Sequence, residues 1–274
     1  MSYEPIENYG IIGDCHGCAL ISSKGNIDWL TFERFDSDPL LWSILDDTQG
    51  SSIGLDFPPD FFWKRSYRKD TNILETTASN HETQIKITDY MPVGRKFKST
   101  THDYTKLKAL HALVRKIQVV GKSVRVKITK RFNSWPDSQS TLVFLEGKER
   151  LSFREESSFD LFLVEGSCHY LVISQDNIPQ LSIKQLQDLE KITNSFWSEW
   201  ISYSQYTGNL KGIIDRSALT LKMLIHAPTG AIMAAPTTSL PENFGGQRNW
   251  DYRYSWIRDS VFTLYALGYL GYSG

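Results

Sequence analysis

The chain has 274 residues, 41% of them apolar and 22% charged, which suffices for one large domain or two of ordinary size. Its 30 basic and 31 acidic side chains give a net charge of -1, and no basic run favours a nucleic acid or a membrane surface as partner. Neither a secretory leader nor a run of about 18 apolar residues is present, so we expect a cytoplasmic protein without a transmembrane helix.

Residues 1–178 carry the pattern of short antiparallel strands. In SVRVKIT, Val124, Val126 and Ile128 alternate with polar residues, a period of two that is typical of a strand with one buried face. The opening YGIIGDCHGCALISSKGNIDWL reads as a hairpin with SKGN as its turn. Further turns are expected at Gly94, Gly121, Gly147 and Gly166. Many short strands with frequent turns predict a β-sandwich.

The motif DCHGC has the CxxC spacing of a zinc knuckle or a redox pair, with His16 between Cys15 and Cys18. A structural zinc site needs about four ligands, and Cys168 with His169 is the only other candidate group in the sequence. A thioredoxin-like motif opens a helix, whereas the strand-like ALISS follows here. We therefore expect small, half-buried thiols without a metal or redox role.

After about residue 178 the apolar spacing changes from two to three or four, which is typical of helices. In LSIKQLQDLEKITNSFWSEWISYS the apolar positions are Ile183, Leu186, Leu189, Ile192, Phe196 and Trp200. Because Ser182 is followed three residues later by Gln185, a capping box is predicted at the start of this helix.

Two further helices are predicted. The second runs through LKGIIDRSALTLKMLIHAPTG and is expected to end at Pro228. Its apolar face consists of Ile214, Ala218, Leu221 and Ile225. The third begins at about Ile257 and runs through RDSVFTLYALGYLGY. Its apolar positions are Val261, Leu264 and Leu267. So few helices have too little to pack against, and the helical region is expected to be incomplete.

The segment between the second and third helices, PTGAIMAAPTTSLPENFGGQRNWDYRYSWIRDS, is long, irregular and rich in aromatic and charged residues. Arg258 and Asp259 offer a donor fork and a carboxylate at a helix start, as a sugar with vicinal hydroxyls requires. The aromatic residues Trp250, Tyr252, Tyr254 and Trp256 alternate just before them. One pair is expected to face a pocket and the other the core. The alternative is ordinary surface charge and packing.

This segment closely resembles the signature of glycoside hydrolase family 15, the glucoamylase and trehalase-like family. IENYGIIGDCHGCALISSKGNIDWLTFERFDSDPLLWSILDD is similar to its trehalase-like N-terminal domain, although the cysteine pair departs from the family. The resemblance implies a β + α fold: a β-sandwich over residues 1–178, a linker helix in 179–210, and the first helices of a truncated (α/α)6 barrel in 211–274. It also implies inverting hydrolysis of an α-glucosidic bond, with no cofactor and no metal.

The resemblance also assigns roles in substrate binding. Arg258 and Asp259 match the pair that holds the hydroxyls of the non-reducing glucose, and Trp256 matches an aromatic lining of that subsite. Tyr252 matches a tyrosine close to the developing oxocarbenium ion. Arg248 and Trp250 belong to the same signature, with less defined roles, as do Asn249 and Asp251.

Inverting hydrolysis needs two carboxyl groups about 6.5–9.5 Å apart. In the family both are glutamates on later barrel loops, which places them beyond residue 274, and nothing marks Glu242 as an acid or a base. The leading hypothesis is the N-terminal portion of an α-glucoside hydrolase, with trehalose as first substrate and malto- or isomalto-oligosaccharides next. We expect these residues alone to be inactive. The alternative is a non-catalytic carbohydrate-binding or assembly module, and a homo-oligomer stays open.

Overall fold

The computed structural model describes residues 3–96, 103–104, 106–131, 141–146, 149–152, 158–174, 181–238 and 246–272. Strands paired in antiparallel fashion dominate the first part of the chain, and three α-helices follow. The prediction of a β-rich β + α fold is therefore confirmed. Within the described ranges, no helix combines the length and the apolar character that crossing a membrane would need.

Fifteen strands are present in the described residues. The first eight are β1 (Tyr9–Gly13), β2 (Cys18–Ser22), β3 (Ile27–Leu30), β4 (Ser52–Asp56), β5 (Phe62–Tyr67), β6 (Leu74–Ser79), β7 (Thr83–Tyr90) and β8 (Val93–Arg95). The others are β9 (Leu107–Ala109), β10 (Ala112–Gly121), β11 (Val124–Arg131), β12 (Thr141–Glu146), β13 (Glu149–Ser152), β14 (Ser158–Leu163) and β15 (Cys168–Ser174).

Most strands belong to two large sheets. One has the order β1-β2-β3-β4-β11-β14, the other has the order β13-β12-β15-β10-β7-β6-β5, and β8 pairs with β9 separately. A single apolar cluster draws on both large sheets, with Ile21 and Ile128 from the first and Ile87 and Ile117 from the second. The alternation seen in SVRVKIT therefore does mark a half-buried strand, while the sandwich architecture stays a prediction.

The opening segment differs from the expected hairpin. It forms a three-stranded meander, because β1 and β2 pair with each other from Tyr9 opposite Ser22 to Gly13 opposite Cys18. The SKGN turn joins β2 to β3, as predicted, and the DCHG residues form a second turn between β1 and β2.

The glycines expected in turns have different outcomes. Gly121 ends β10 and Gly166 lies in the turn between β14 and β15, and their positive φ angles of 94° and 72° would strain an L side chain. Gly94 instead lies inside β8, where it is paired with Lys108. Gly147 lies outside the described residues.

The helices are α1 (Ile183–Ser202), α2 (Lys211–Met223) and α3 (Ile257–Tyr269). The capping box of α1 is confirmed: the Gln185 N–H donates to Ser182 Oγ at 3.3 Å, and the Ser182 N–H donates to Gln185 Oε1 at 2.8 Å. On α1, Ile192 is exposed although its spacing predicted burial.

The predicted end of α2 was wrong. The helix stops at Met223, before both Ile225 and Pro228. The backbone beyond it turns back on itself, since the His226 N–H donates to the Ala231 carbonyl at 2.8 Å and Ile225 forms a β-bridge with Ile232. Pairing with the following segment, rather than proline, ends this helix.

α1 and α2 pack directly on the strands between Tyr9 and Ser174, which we call the β region. The Tyr90 hydroxyl donates to the Leu186 carbonyl at 2.9 Å, and the Val93 N–H donates to Thr193 Oγ1 at 3.1 Å. α3 lies further out, and among its three predicted apolar positions only Leu267 is buried. Its exposed large apolar residues are Ile257, Val261, Phe262, Leu264, Tyr265 and Tyr269.

Candidate functional site

The segment that precedes α3 is paired with the segment that follows α2. The Ala235 N–H donates to the Tyr252 carbonyl at 2.9 Å, and the Ala234 N–H to the Tyr254 carbonyl at 3.3 Å. A β-bridge joins Met233 to Ser255 just before the helix begins. The irregular segment is thus anchored by backbone hydrogen bonds, so its side chains have defined positions.

Two of the four alternating aromatic residues form a stack. The rings of Tyr252 and Trp256 are 5.2 Å apart between centroids and inclined by 24°. Trp250 and Tyr254 are instead 54% and 52% exposed. The predicted core position of the second pair is therefore wrong, because both of its rings are about half exposed, and the pocket position of the stacked pair stays a prediction. Arg248 is also exposed.

Arg258 and Asp259 lie in the first turn of α3, where Asp259 is the acidic residue next to the helix N-terminus. Arg258 Nη2 is 3.2 Å from Asp259 Oδ2, so the two side chains form an ion pair. That oxygen is shielded from solvent and has no hydrogen-bond partner among the described residues. The rest of the Asp259 side chain is partly exposed, so its carboxylate and the exposed guanidinium of Arg258 can still offer an acceptor and a donor fork to neighbouring hydroxyls.

Arg253 was missed by the sequence analysis, which weighted the aromatic residues around it. It binds Asp251 in bidentate fashion, with Nε 3.1 Å from Oδ1 and Nη2 2.8 Å from Oδ2. Its Nη1 donates to the Ser37 carbonyl at 2.8 Å, in the loop after β3. Arg253 therefore fastens the segment to the β region. The sequence signal that could have identified Arg253 is an arginine between two tyrosines, two residues after an aspartate.

In the Arg253–Asp251 pair, each residue stabilises the charged form of the other. Burial alone would raise the pKa of Asp251, but the hydrogen bonds from Arg253 hold it below its ordinary value. The same hydrogen bonds raise the pKa of Arg253. Both groups are therefore charged at neutral pH. Within the described part of the segment, both carboxylates, Asp251 and Asp259, are paired with arginines, and Glu242 lies outside the described residues.

Cys15 and Cys18 are fully buried, rather than half-buried as predicted, and both contact the backbone of the helical region. Cys15 Sγ lies 3.6 Å from the Lys222 carbonyl and Cys18 Sγ lies 3.8 Å from the Pro236 carbonyl. Burial raises the pKa of each thiol to about 12, so both stay protonated. In the residues that the structure covers, no group of three or more His, Cys, Asp and Glu is placed to hold a metal ion.

Comparison with known proteins gives the following relatives. Residues 208–273 match the model of glycosyl hydrolases family 15. The trehalase of Mycolicibacterium smegmatis is 33% identical, and the alignment covers 98% of this chain and 45% of that protein. The trehalase of Thermoplasma volcanium is 30% identical, with 98% and 45% covered. That of Mycobacterium tuberculosis is 31% identical, with 98% and 44% covered.

The chain is similar to glycosyl hydrolases family 15 over residues 208–273. Its likeness to trehalases extends over nearly all of its residues, which confirms the resemblance drawn from the sequence. The chain spans about half the length of the curated relatives that it matches. All six predicted substrate-binding residues lie within the matched region, and their individual roles stay predictions.

Proposed function

We propose that the protein is a glycoside hydrolase that cleaves the α-glucosidic bond of trehalose, with malto- or isomalto-oligosaccharides as next substrates. The observation that carries the proposal is the Tyr252–Trp256 stack, which immediately precedes the Arg258–Asp259 pair at the start of α3. An aromatic surface and a bidentate polar pair are the two elements that recognition of a hexose requires. That three of the relatives are named trehalases supports trehalose as the first substrate.

In this proposal each of these residues contacts a different part of the substrate. Tyr252 and Trp256 contact the apolar side of the non-reducing glucose, while Arg258 donates to its hydroxyls and Asp259 accepts from them. Arg248 and Trp250, both exposed, line the approach to this subsite. From the family resemblance we expect the two glutamates of the inverting reaction to lie outside these 274 residues. We therefore expect these residues alone to bind glucose without hydrolysing a glucoside.

The test is an assay of glucose release from trehalose, maltose and isomaltose by the protein at its natural length. Asp259→Asn keeps the shape of the side chain but removes its charge, and we expect it to lower kcat/KM at least about tenfold because a charge-assisted hydrogen bond is lost. Asp160→Asn, an exposed carboxylate on β14, is the matched control and should change kcat/KM less than about twofold.

Full activity of the Asp259→Asn variant would contradict the binding role. Glucose released by the 274-residue chain on its own would contradict the placement of the catalytic pair.

A second candidate function is a non-catalytic carbohydrate-binding or assembly module. The exposed rings of Trp250 and Tyr254 favour it, because exposed aromatic side chains are a common surface for stacking sugars. Binding of trehalose by the natural-length protein without any release of glucose would favour this function over hydrolysis. Oligomeric state and cellular location stay predictions from the sequence.

A further inference from the structure

A cavity of about 520 Å³ lies between the β region and the segment before α3. One wall is the loop after β3, and the other consists of residues that follow α2 and precede α3. Its lining includes Arg34, Phe35, Asp36, His226, Met233 and Tyr254. This volume is within the range that small-molecule sites occupy.

The polar side of the cavity is the pair formed by Arg34 and Asp36. Arg34 Nε donates to Asp36 Oδ1 at 2.9 Å, and its Nη2 donates to Oδ2 at 2.6 Å. Nη1 of Arg34 has no hydrogen-bond partner among the described residues, and 66% of the side chain is exposed. The bonds from Arg34 lower the pKa of Asp36, which is therefore a charged acceptor at neutral pH. This is the same chemistry as the Arg258–Asp259 pair.

The rest of the lining is largely apolar. Phe35 is buried, and its ring contacts the edge of His226 with 6.4 Å between centroids. Met233 and the half-exposed ring of Tyr254 line the opposite wall of the cavity. An apolar surface beside one donor–acceptor pair fits a sugar ring, which has an apolar face and hydroxyls at its edge.

The cavity adjoins the proposed glucose subsite. Arg253, Tyr254 and Ser255 line it, and these residues lie in the chain between the two stacked rings of Tyr252 and Trp256. The bond from Arg253 Nη1 to the Ser37 carbonyl joins the two walls directly. The lining residues Arg253 and Ser255 are thus the direct chain neighbours of the two stacked rings.

We propose that this cavity binds the second sugar unit of a disaccharide substrate, with Arg34 and Asp36 contacting its hydroxyls and Tyr254 stacking on its ring. The inference rests on the proposed function, because it takes the first unit to be bound by the Tyr252–Trp256 stack. In this proposal the loop after β3 contributes to substrate specificity. The contact between the β region and the glucose-binding segment would then form part of the substrate site.

The experiment compares two substrates of the natural-length protein: trehalose, which has a second sugar, and α-glucosyl fluoride, which has a single glucose and a fluoride leaving group. Arg34→Ala should raise the KM for trehalose about tenfold while changing kcat/KM for the fluoride less than about twofold. Tyr254→Ala is a second variant with the same expected selectivity. Arg125→Ala, an exposed arginine on β11, is the matched control and should affect neither substrate.

Each outcome has one meaning. A selective loss on trehalose in both cavity variants supports the subsite. Equal losses on both substrates, or no loss on trehalose, would overturn the subsite and leave the proposed function intact. If the unmodified protein cleaves neither substrate, the proposed function fails and this inference fails with it.

Discussion

Asp14 organises the turn between β1 and β2 through its carboxylate. Oδ1 accepts the N–H groups of His16 at 3.0 Å and Gly17 at 2.9 Å, so the backbone closes tightly around it. The carbonyl of Cys15 is thereby presented to the helical region, where it accepts the Ala227 N–H at 2.9 Å. A turn of four residues thus contributes directly to the contact between the two parts of the chain.

Gly17 is the residue on which this turn depends most. A Cβ there would overlap the Thr31 carbonyl oxygen and lie 2.8 Å from the Thr31 carbonyl carbon, and backbone atoms cannot move aside cheaply. We expect Gly17→Ala to lower the free energy of unfolding by about 2 kcal/mol or more, measured by urea denaturation. Gly212→Ala, on α2 with open space around it, is the control and should raise stability by up to about 1 kcal/mol. A Gly17→Ala protein of unchanged stability would refute the steric argument.

His226 predicts a pH dependence of stability. Burial lowers its pKa below the ordinary value of 6.5, a hydrogen bond with the Glu33 backbone and the charge of Asp36 oppose this shift, and the nearby His16 and Arg34 add to it. The unfolded state therefore takes up the proton first, so stability should fall as the pH drops through about 6.5 and should level off below the folded pKa. The effect should stay below about 1 kcal/mol because the ring is partly solvated.

The measurement is the difference in unfolding free energy between about pH 7.5 and about pH 5.5. His226→Gln should reduce the loss on acidification. His81→Gln, an exposed histidine in the turn before β7, should leave it unchanged. An identical pH profile for His226→Gln and the unmodified protein would show that other groups dominate.

At the scale of single elements, the N-terminus of α1 is stabilised by a capping box. The reciprocal bonds of Ser182 and Gln185 satisfy backbone N–H groups that have no partner within the helix. Ser182→Ala should therefore destabilise the protein by about 1 kcal/mol in thermal or urea unfolding. Ser195→Ala, exposed in the middle of the same helix, should change stability by less than about 0.5 kcal/mol. Equal effects of the two substitutions would argue against the capping box.

The same elements show what the sequence could and could not predict. The capping box is local chemistry between Ser182 and Gln185, so the start of α1 was readable from spacing. The end of α2 depends on pairing between Ile225 and Ile232, which no helical pattern encodes. Ile192 has the spacing of a buried residue but lies on the exposed face of α1. The face of α1 that packs against the β region contains Thr193 instead.

The candidate site likewise has features that the sequence predicts and features that only the fold reveals. The four-residue spacing of Tyr252 and Trp256 and the adjacency of Arg258 and Asp259 are visible in the sequence. The anchoring role of Arg253 is not, because its partner Ser37 is more than 200 residues away in the chain. The Arg34–Asp36 wall was missed for the same reason: only the fold brings the loop after β3 next to this segment.

For the whole molecule, the main feature is that the helices share their buried surface with the β region. One apolar cluster combines Cys15 and Val93 with Trp197 of α1 and Met223 of α2. Hydrogen bonds cross the same boundary, such as that from Asn72 Nδ2 to the Leu219 carbonyl at 3.0 Å. The two regions should therefore unfold together, whatever domain boundaries the sequence suggests between 178 and 211.

Thr193→Val tests this cooperativity. The substitution keeps the shape of a buried side chain but removes the hydroxyl that accepts the Val93 N–H, and an unsatisfied buried donor costs about 1–3 kcal/mol. If folding is one cooperative transition, amide hydrogen exchange should accelerate roughly tenfold in α1 and by a similar factor in β10. Ser195→Ala, exposed on α1, should accelerate neither. Acceleration confined to α1 would mean that the helices open while the sheets stay folded, and the predicted domain division would then describe two independent units.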